Sequence, residues 1–361
     1  MNQNMLITGG AGFIGSNFIR YIQEQAPEVN IVNLDLLTYA GSQENLRDLP
    51  HPEKHILVEA DVSDQPLIEG LLHEHNIDTI VHFAAESHVD RSLKGPGAFV
   101  QTNIVGTFSL LEAARKVWLQ EKRLGKDQLR FHHISTDEVY GSLDPGDPAF
   151  EETTPYAPTS PYAASKASSD HLVRAYAHSF GLPITISNCS NNYGPYQFPE
   201  KLIPLMILNA LTGKPLPIYG DGMQIRDWLY VEDHCAAIYA ILNNGKIGES
   251  YNIGGGNQPP NIEIVTTICE ILDVEDALTQ FRPHSQLIEY VTDRPGHDRR
   301  YAMNIDKINR DLGWAPSVNL KEGLEKTVRW YLDHIDWLNA IIKEKSYQNW
   351  VDINYQGRGT S

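Results

Sequence analysis

Residues 5–15 read MLITGGAGFIG, and this stretch decides the fold. Met5 to Ile7 form a short apolar run that predicts a β-strand, a glycine-rich turn follows, and an amphipathic helix is expected from Ser16 to about Gln25. The glycines fit both the G-x-G-x-x-G and the G-x-x-G-x-x-G spacing. Such glycines let backbone N–H groups approach a pyrophosphate, and the N-terminus of the next helix favours its negative charge. The stretch therefore predicts a dinucleotide-binding loop, with a purely structural glycine turn as the alternative.

A second predicted strand, residues 30–34, ends in Asp35, twenty positions after Gly15. In dinucleotide-binding folds a carboxylate at about this spacing hydrogen-bonds the adenosine ribose, which favours NAD over NADP. The spacing therefore predicts NAD as the cofactor.

Two further predicted strands end in residues suited to the same ligand. Residues 55–59 lead into Asp61 and Val62, which we expect to flank the adenine ring. Residues 79–83 lead into the alanines at 84–85, whose small side chains allow a cofactor to lie against the backbone. Strands that alternate with helices in this way predict the α/β class with a Rossmann-type doubly wound parallel sheet.

The composition narrows the possible partners. The 361 residues carry a net charge of −17, which opposes binding to nucleic acid or to an anionic membrane. No apolar run approaches the ~20 residues of a membrane span, and no secretory signal is recognised. The three cysteines are far apart, which favours a reducing, cytoplasmic setting and gives no indication of a metal site.

The composition changes after about residue 190, where proline becomes frequent. We therefore expect an NAD-binding Rossmann domain over 1–190, with a return at about 229–254, and a smaller mixed α/β C-terminal substrate domain over 191–361. Amphipathic patterns predict helices over 302–312 and 320–335, and the final ~25 residues are expected to be peripheral.

Residues 135–141 read STDEVYG and follow the apolar run from Phe131 to Ile134, which predicts a strand. Asp137 and Glu138 would thus lie at the carboxyl end of a strand, where open α/β sheets bind their ligands. The alternative is a solvated pair of loop carboxylates.

Tyr162 and Lys166 are four residues apart and share one face of a predicted helix. An ammonium near a phenol lowers the pKa of the phenol, as does the positive charge of an oxidised nicotinamide. Tyr162 is therefore a candidate base that accepts a proton from a substrate alcohol.

Residues 293–300 read DRPGHDRR, a basic segment in an acidic chain. Together with Arg226 these arginines are candidates for clamping a diphosphate, because the planar guanidinium pairs well with phosphate. Surface ion pairing is the alternative reading.

Taken together, these residues resemble the extended short-chain dehydrogenase/reductase superfamily and, within it, the dTDP-glucose 4,6-dehydratases. The glycine loop and the Tyr162/Lys166 pair are typical of the superfamily as a whole. Four segments point to the dehydratases, and every catalytic position of their pattern is present: AAESHVDRS at 84–92, STDEVYG at 135–141, NNYGPYQFPEKL at 191–202 and DRPGHD at 293–298.

The resemblance implies a reaction on a nucleotide-linked glucose. Tyr162 would take the proton from the hydroxyl on carbon 4, Lys166 would tune it and Thr136 would bind the same oxygen. Glu138 would act as base at carbon 5 and Asp137 as acid at carbon 6. Tightly bound NAD would be regenerated in each turnover, giving a hydro-lyase that yields a 4-keto-6-deoxy sugar nucleotide.

The resemblance also implies two sets of contact residues. Those expected to bind NAD are Gly9, Gly12, Phe13, Ile14, Gly15, Asp35, Leu36, Leu37, Thr38, Asp61, Val62, Phe83, Ala84, Ala85, Glu86, Ser87, Thr102, Tyr162, Lys166 and Asn192. Those expected to bind the substrate are Ser87, Thr136, Asn191, Lys201, Leu202, Pro217, Ile218, Tyr219, Arg226, Asn261, Asp293, Arg294, Pro295, Gly296 and His297.

Members of the family are usually homodimers paired through helices at about 100–118 and 161–180. Two alternatives for the function stay open: another nucleotide-sugar enzyme, either a 4-epimerase or a dehydratase for a different nucleotide, and a non-catalytic NAD-binding sensor. Asp137 and Glu138 argue against the epimerase, and a sensor would need none of the catalytic residues.

Overall fold

The computed structural model describes residues 3–122, 124–125, 128–275, 280–293, 298–343 and 347. The strands in this part of the chain are β1 Asn4–Thr8, β2 Asn30–Asp35, β3 His55–Glu59, β4 Thr79–His82, β5 Arg130–Thr136, β6 Ile184–Cys189, β7 Asn191–Tyr193, β8 Leu216–Tyr219, β9 Trp228–Tyr230, β10 Ser250–Ile253 and β11 Ile288–Val291.

The α-helices are α1 Phe13–Gln25, α2 Gln65–Glu74, α3 Val89–Lys94, α4 Pro96–Phe99, α5 Thr107–Ala114, α6 Pro161–Phe180, α7 Leu202–Leu211, α8 Val231–Asn244, α9 Asn261–Glu275, α10 Asp306–Leu312, α11 Leu320–Asp333 and α12 Ile335–Lys343. The π-helical segment Val100–Gly106 joins α4 to α5, and a second one, Arg115–Gln120, continues α5, so that residues 96–120 form one helical rod. Short 3-10 helices span Gln43–Leu46, Pro52–Lys54, Asp137–Tyr140 and His284–Leu287.

Seven strands form one parallel sheet in the order β10-β6-β5-β4-β1-β2-β3. The direction of winding reverses between β1 and β4, and ligands of such sheets bind beyond the carboxyl ends of the strands at this point. The prediction of a Rossmann-type doubly wound sheet is confirmed.

Hydrophobic cores cover both faces of this sheet. Phe18 of α1 and Ile238 of α8 pack on one face, and Leu71 of α2, Leu110 of α5 and Val173 of α6 pack on the other. Because both faces are covered, β1 carries the continuous apolar run Met5–Ile7 rather than an alternating pattern, and the polar residues of β6 and, past its first residue, of β5 are buried as well.

The C-terminal part is mixed α/β, as expected. The parallel pair β8 and β11 lies beside α7, α9 and α11, and their shared core includes Ile207, Ile268 and Val328. The chain returns to the large sheet through α8 and β10, which pairs with β6 at the edge.

Two expectations for the C-terminal region are wrong. The helix expected over 302–312 begins only at Asp306, because Tyr301 and Met303 instead pack beside residues 139–150. The final residues are not peripheral as far as they are described, since Trp337 and Leu338 of α12 are buried in the C-terminal core. Among the described residues, no helix has the length and apolar character needed to cross a membrane.

Candidate active site

The glycine loop after β1 is packed so closely that side chains are excluded at two positions. Gly9 has a φ of +74°, and a Cβ there would lie 2.6 Å from the backbone nitrogen of Ala84. A Cβ on Gly15 would lie 2.3 Å from the carbonyl oxygen of Gly9. The loop therefore forms a backbone cradle that a larger residue would fill.

The start of α1 is open to a ligand. Its N-cap residue is Gly12, and among the described residues no side chain caps the first turn. Phe13, Ile14 and Gly15 occupy this first turn and line the cavity. Unsatisfied N–H groups at a helix N-terminus favour an anion, so the cradle fits the pyrophosphate of a dinucleotide.

Asp35 shapes this cradle from the end of β2. Its carboxylate accepts hydrogen bonds from the backbone N–H groups of Ala11 and Leu37, both at 2.9 Å. Burial raises its pKa, and these two hydrogen bonds oppose that shift. Asp35 lines the cavity, so its position fits the predicted contact with a ribose as well as a role in holding the loop.

The expected acid and base lie at the end of β5, where the chain enters the 3-10 helix Asp137–Tyr140. Thr136 caps this helix: its hydroxyl accepts a hydrogen bond from the Glu138 N–H at 3.3 Å and donates one to Oδ1 of Asp137 at 3.1 Å. The three side chains line one cavity.

Asp137 and Glu138 have different surroundings despite being neighbours. Asp137 is only 2% exposed, and its Oδ2 has no hydrogen-bond partner among the described residues. Burial raises the pKa of Asp137 well above its usual value, and the charges of Glu138 and Asp227 add to the shift. Glu138 is partly exposed. Asp137 is thus held as a neutral acid beside a carboxyl group that keeps access to solvent.

Tyr162 and Lys166 reach the same cavity from the first turns of α6. Pro161 starts this helix, and the Ser160 hydroxyl caps it by accepting a hydrogen bond from the Ala163 N–H at 3.1 Å. The ammonium of Lys166 donates to the Ile134 carbonyl of β5 at 2.7 Å, which fixes α6 against the strand that carries Asp137.

Lys166 is expected to lower the pKa of the Tyr162 phenol, but the net effect of the protein's groups is to raise it. Burial raises the pKa of Tyr162 well above its usual value, the charge of Glu138 adds to the shift, and a hydrogen bond with Thr136 opposes it. Burial also lowers the pKa of Lys166, against the opposing charge of Asp170. The protein's own groups therefore favour the neutral phenol, and the lowering expected from Lys166 together with the nicotinamide charge stays a prediction.

Most of the residues predicted to form the site line two adjoining cavities. Every residue expected to bind NAD lines the first cavity except Leu37, whose backbone instead binds Asp35. All five expected catalytic residues line it too. The second cavity shares seven residues with the first, so the two are continuous: Ser87, Glu138, Asn191, Asn192, Gln197, Glu200 and Lys201.

The second cavity contains most of the residues expected to bind the substrate: Ser87, Asn191, Lys201, Leu202, Pro217, Tyr219, Arg226 and Asn261. Arg226 is placed by hydrogen bonds to the carbonyl groups of Ile225 and Asp298, at 2.8 and 3.0 Å, and by the ring of Tyr301, whose centroid is 4.6 Å from the guanidinium carbon.

Six residues expected to bind the substrate line neither cavity as far as the structure describes them. Ile218 lies between Pro217 and Tyr219 in β8, and successive side chains of a strand point to opposite faces. Its side chain therefore packs in the hydrophobic core and does not line the cavity. Asp293 also lies outside the cavity wall and accepts a hydrogen bond from the Gln224 amide at 2.8 Å. The remaining predictions, Arg294, Pro295, Gly296 and His297, lie outside the described residues.

Sequence reasoning missed several residues of the cavity wall. Tyr39 and Glu200 line it, and the guanidinium carbon of Arg91 lies 3.4 Å from the centroid of the Tyr39 ring. Glu200 lies in the segment 191–202, which resembles the dehydratases, so its place in that segment could have indicated that it lines the site. Tyr301, just before the helix expected over 302–312, reaches the second cavity, and no sequence signal indicated it.

Comparison with known proteins agrees with this geometry. A family model described as GDP-mannose 4,6 dehydratase matches residues 6–327. dTDP-glucose 4,6-dehydratase 1 from Escherichia coli K12 is 54% identical over 362 residues, covering 98% of this chain and 99% of the relative.

Solved structures give the same result. dTDP-glucose 4,6-dehydratase from Bacillus anthracis, in complex with NAD, is 43% identical with a TM-score of 0.82, covering 94% of this chain and 99% of the other. The enzyme DesIV from Streptomyces venezuelae, also a dTDP-glucose 4,6-dehydratase with NAD bound, is 43% identical with a TM-score of 0.84, covering 94% and 100%. The chain belongs to the dTDP-glucose 4,6-dehydratase family.

Proposed function

We propose that the protein converts dTDP-glucose to dTDP-4-keto-6-deoxyglucose in an NAD-dependent reaction. The observation that carries this proposal is the buried Asp137, whose pKa burial raises well above its usual value, beside the partly exposed Glu138 and in one cavity with Tyr162 and Lys166. Loss of water needs an acid and a base acting together, and this pair supplies both.

NAD is supported by the fit of the first cavity. The first turn of α1 and the glycine cradle would hold the pyrophosphate, Asp35 the adenosine ribose, and Asp61 and Val62 the adenine end. When bound there, NAD would supply the acceptor for the hydride from carbon 4, the donor that returns it to carbon 6, and a positive charge in the cavity that Tyr162 lines.

Tyr162 is the base for the first step. With the positive charge of NAD beside it, Tyr162 would act as a phenolate and take the proton of the hydroxyl on carbon 4, while Thr136 would hydrogen-bond the same oxygen. Lys166 lies one helical turn further along α6, donates to the Ile134 carbonyl and lines the same cavity, so its charge is held in the cavity that Tyr162 lines. The resulting ketone at carbon 4 acidifies the hydrogen on carbon 5.

Glu138 and Asp137 then remove water. Glu138 takes the proton from carbon 5, the bond between carbon 6 and its hydroxyl breaks, and Asp137 gives that hydroxyl a proton. Burial keeps Asp137 protonated for this step, whereas partial exposure suits Glu138 to the role of base. Epimerisation at carbon 4 needs no such pair.

The second cavity would bind the nucleotide diphosphate. Arg226 and Lys201 supply positive charge to its wall, and Asn191 and Asn261 supply amide groups. Because Arg226 is already held by two carbonyl groups, little side-chain freedom is lost when phosphate binds.

Assembly and location form part of the same proposal. We assign 1–190, with the return at about 229–254, to the NAD-binding domain and 191–361 to the substrate domain. A homodimer is supported by large apolar side chains left exposed on the rod and on α6: Val100 at 50%, Phe108 at 43% and Phe180 at 49%. A cytoplasmic location is supported by three buried cysteines that are not in disulfides.

The direct test is to incubate the purified protein with dTDP-glucose and no added NAD. We expect a 4-keto product, detected by its ultraviolet absorbance in alkali, because the cofactor is regenerated in every turnover. UDP-glucose and GDP-mannose assayed in parallel would decide the base specificity. An inert mixture at high enzyme concentration would refute the proposal.

Glu138→Gln tests the role of the site. We expect this variant to bind NAD normally but to stall before elimination. Glu151→Gln, on an exposed loop, is the matched control and should turn over normally. Normal turnover by the Glu138 variant would remove that residue from its role.

A further inference from the structure

Helix α12 reaches the cofactor loop through a chain of buried hydrogen bonds. The indole N–H of Trp337 donates to Oδ1 of Asn45 at 2.9 Å. The amide Nδ2 of Asn45 donates to the carbonyl of Ala11 at 2.8 Å. Ala11 lies within the glycine loop, so three segments far apart in the sequence meet at this point.

The direction of the chain is fixed by the chemistry of the indole. An indole nitrogen only donates, so the Asn45 atom that faces it must be the amide oxygen. The NH₂ group of Asn45 is thereby turned towards the Ala11 carbonyl, and Asn45 is only 2% exposed, so water does not replace either partner. Trp337 thus selects the one amide orientation that can bind the loop.

Both the carbonyl and the N–H of the peptide between Ala11 and Gly12 are hydrogen-bonded. Its carbonyl accepts from Asn45 and from the Ser42 N–H at 3.1 Å, and its N–H donates to the Gly9 carbonyl at 3.2 Å. The preceding N–H, that of Ala11, donates to Asp35 at 2.9 Å. The next residues, 13–15, form the first turn of α1 that lines the cavity.

Helix α12 is itself held rigidly. Trp337 packs edge-on against Trp330 and Tyr196, with ring centroids 5.0 and 5.8 Å away. Tyr196 follows β7 and lies between Asn192 and Lys201, which line the cavities. The ring of Trp337 is thus packed against the segment that supplies cavity residues on both sides of Tyr196, while its indole N–H is tied to the cofactor loop.

We propose that Trp337 is a positioning residue for cofactor binding, and that it acts through Asn45 to fix the glycine loop in the conformation that receives the pyrophosphate. This inference rests on the proposed NAD-dependent function. It assigns a role in the site to a C-terminal helix that contributes nothing to the cavity walls described above.

The test is Trp337→Phe, which keeps an aromatic ring and removes the N–H donor. Trp118→Phe is the matched control: Trp118 is buried, donates its indole N–H to the Ile77 carbonyl at the same 2.9 Å, and does not line either cavity. Both variants lose one buried hydrogen bond, so both are expected to lose similar thermal stability.

Only Trp337→Phe is expected to weaken NAD binding. In protein freed of bound nucleotide, we expect the Kd for NAD to rise about five- to thirtyfold for Trp337→Phe, the effect of one unsatisfied buried acceptor, and to stay within twofold for Trp118→Phe. Amide hydrogen exchange across residues 9–15 should accelerate in the first variant alone.

A double-mutant cycle completes the test. If Trp337 acts through Asn45, adding Trp337→Phe to Asn45→Ala should weaken NAD binding no further. Equal Kd values for the two Phe variants, or additive losses in the cycle, would overturn this inference. The proposed function would still stand in that case if the wild type turns over dTDP-glucose. A wild-type protein that binds no NAD would overturn both.

Discussion

Gly15→Ala should separate cofactor binding from folding at the glycine loop. A Cβ at this position would lie 2.3 Å from the Gly9 carbonyl oxygen, whereas ordinary contact begins at 3.4 Å, so the loop and α1 must move apart by about 1 Å. Gly9 is itself pressed against the backbone at Ala84 and cannot retreat. The movement therefore has to displace the first turn of α1 from the pyrophosphate site.

The expected cost follows from the hydrogen bonds that this displacement breaks. Loss of one N–H bond to a charged phosphate is worth about 1.5–3 kcal/mol, which corresponds to a roughly 10- to 150-fold higher Kd for NAD. Overpacking adds about 1–3 kcal/mol of destabilisation. Titration calorimetry on nucleotide-free protein measures the first quantity and urea unfolding the second.

Two other glycines supply the controls. A Cβ on Gly12 would come within 3.3 Å of the same oxygen, so Gly12→Ala should cost far less than Gly15→Ala. Gly70 in α2 has nothing within 4 Å of such a Cβ, so Gly70→Ala should bind NAD normally and be more stable by up to about 1 kcal/mol. Wild-type affinity in Gly15→Ala would refute the cradle as the pyrophosphate site.

Three further predictions concern the acid, a buried histidine and the dimer. The Asp137→Asn side chain can still accept the Thr136 hydrogen bond but has no acidic proton to give. We therefore expect kcat to fall by about 10²–10⁴ and reduced cofactor to accumulate, as measured by rapid-scan absorbance. Full turnover by this variant would exclude Asp137 as the acid. Burial lowers the pKa of His132 to about 3, against about 6.5 when unfolded, so its contribution to stability is complete above pH 6.5 and is lost as the pH falls towards 3. Between pH 7 and 5 the wild type should therefore lose about 2 kcal/mol more unfolding free energy than His132→Gln, measured with urea, and equal losses would contradict this account. Phe108→Glu places a charge on the exposed apolar rod and should give monomers in sedimentation velocity, whereas a persistent dimer would place the interface elsewhere.

The features that could be predicted from the sequence are those encoded by neighbouring residues. The glycine loop, the Thr136–Glu138 segment and the Tyr162/Lys166 pair each lie within one short stretch, and the structure places all of them at one cavity. Their local chemistry, such as the cap that Thr136 supplies to the following turn, needs no partner from elsewhere in the chain.

The features that could not be predicted depend on distant partners. The spacing of Tyr162 and Lys166 suggested a lowered phenol pKa, but burial by the assembled site raises it. The apolar pattern of Trp337, Leu338 and Ile341 was visible in the sequence, yet only the folded chain shows that this face packs into the C-terminal core and that its indole binds Asn45.

Asp137 combines a feature set by its neighbours in the sequence with a feature that depends on residues far from it in the chain. Its position at the end of β5 is local, but its raised pKa is largely a tertiary property, because burial in the folded chain is the main cause; from the segment at 226–227, the charge of Asp227 adds to the shift and that of Arg226 opposes it. Asp227 is fully buried, its carboxylate accepts from the Gly255 and Met303 N–H groups, and burial raises its own pKa to about 6. Above that pH it is ionised and opposes ionisation of Asp137. The sequence motif therefore supplies two carboxyl groups, and the folded chain, chiefly by burying Asp137 beside Glu138, raises the pKa of one of them.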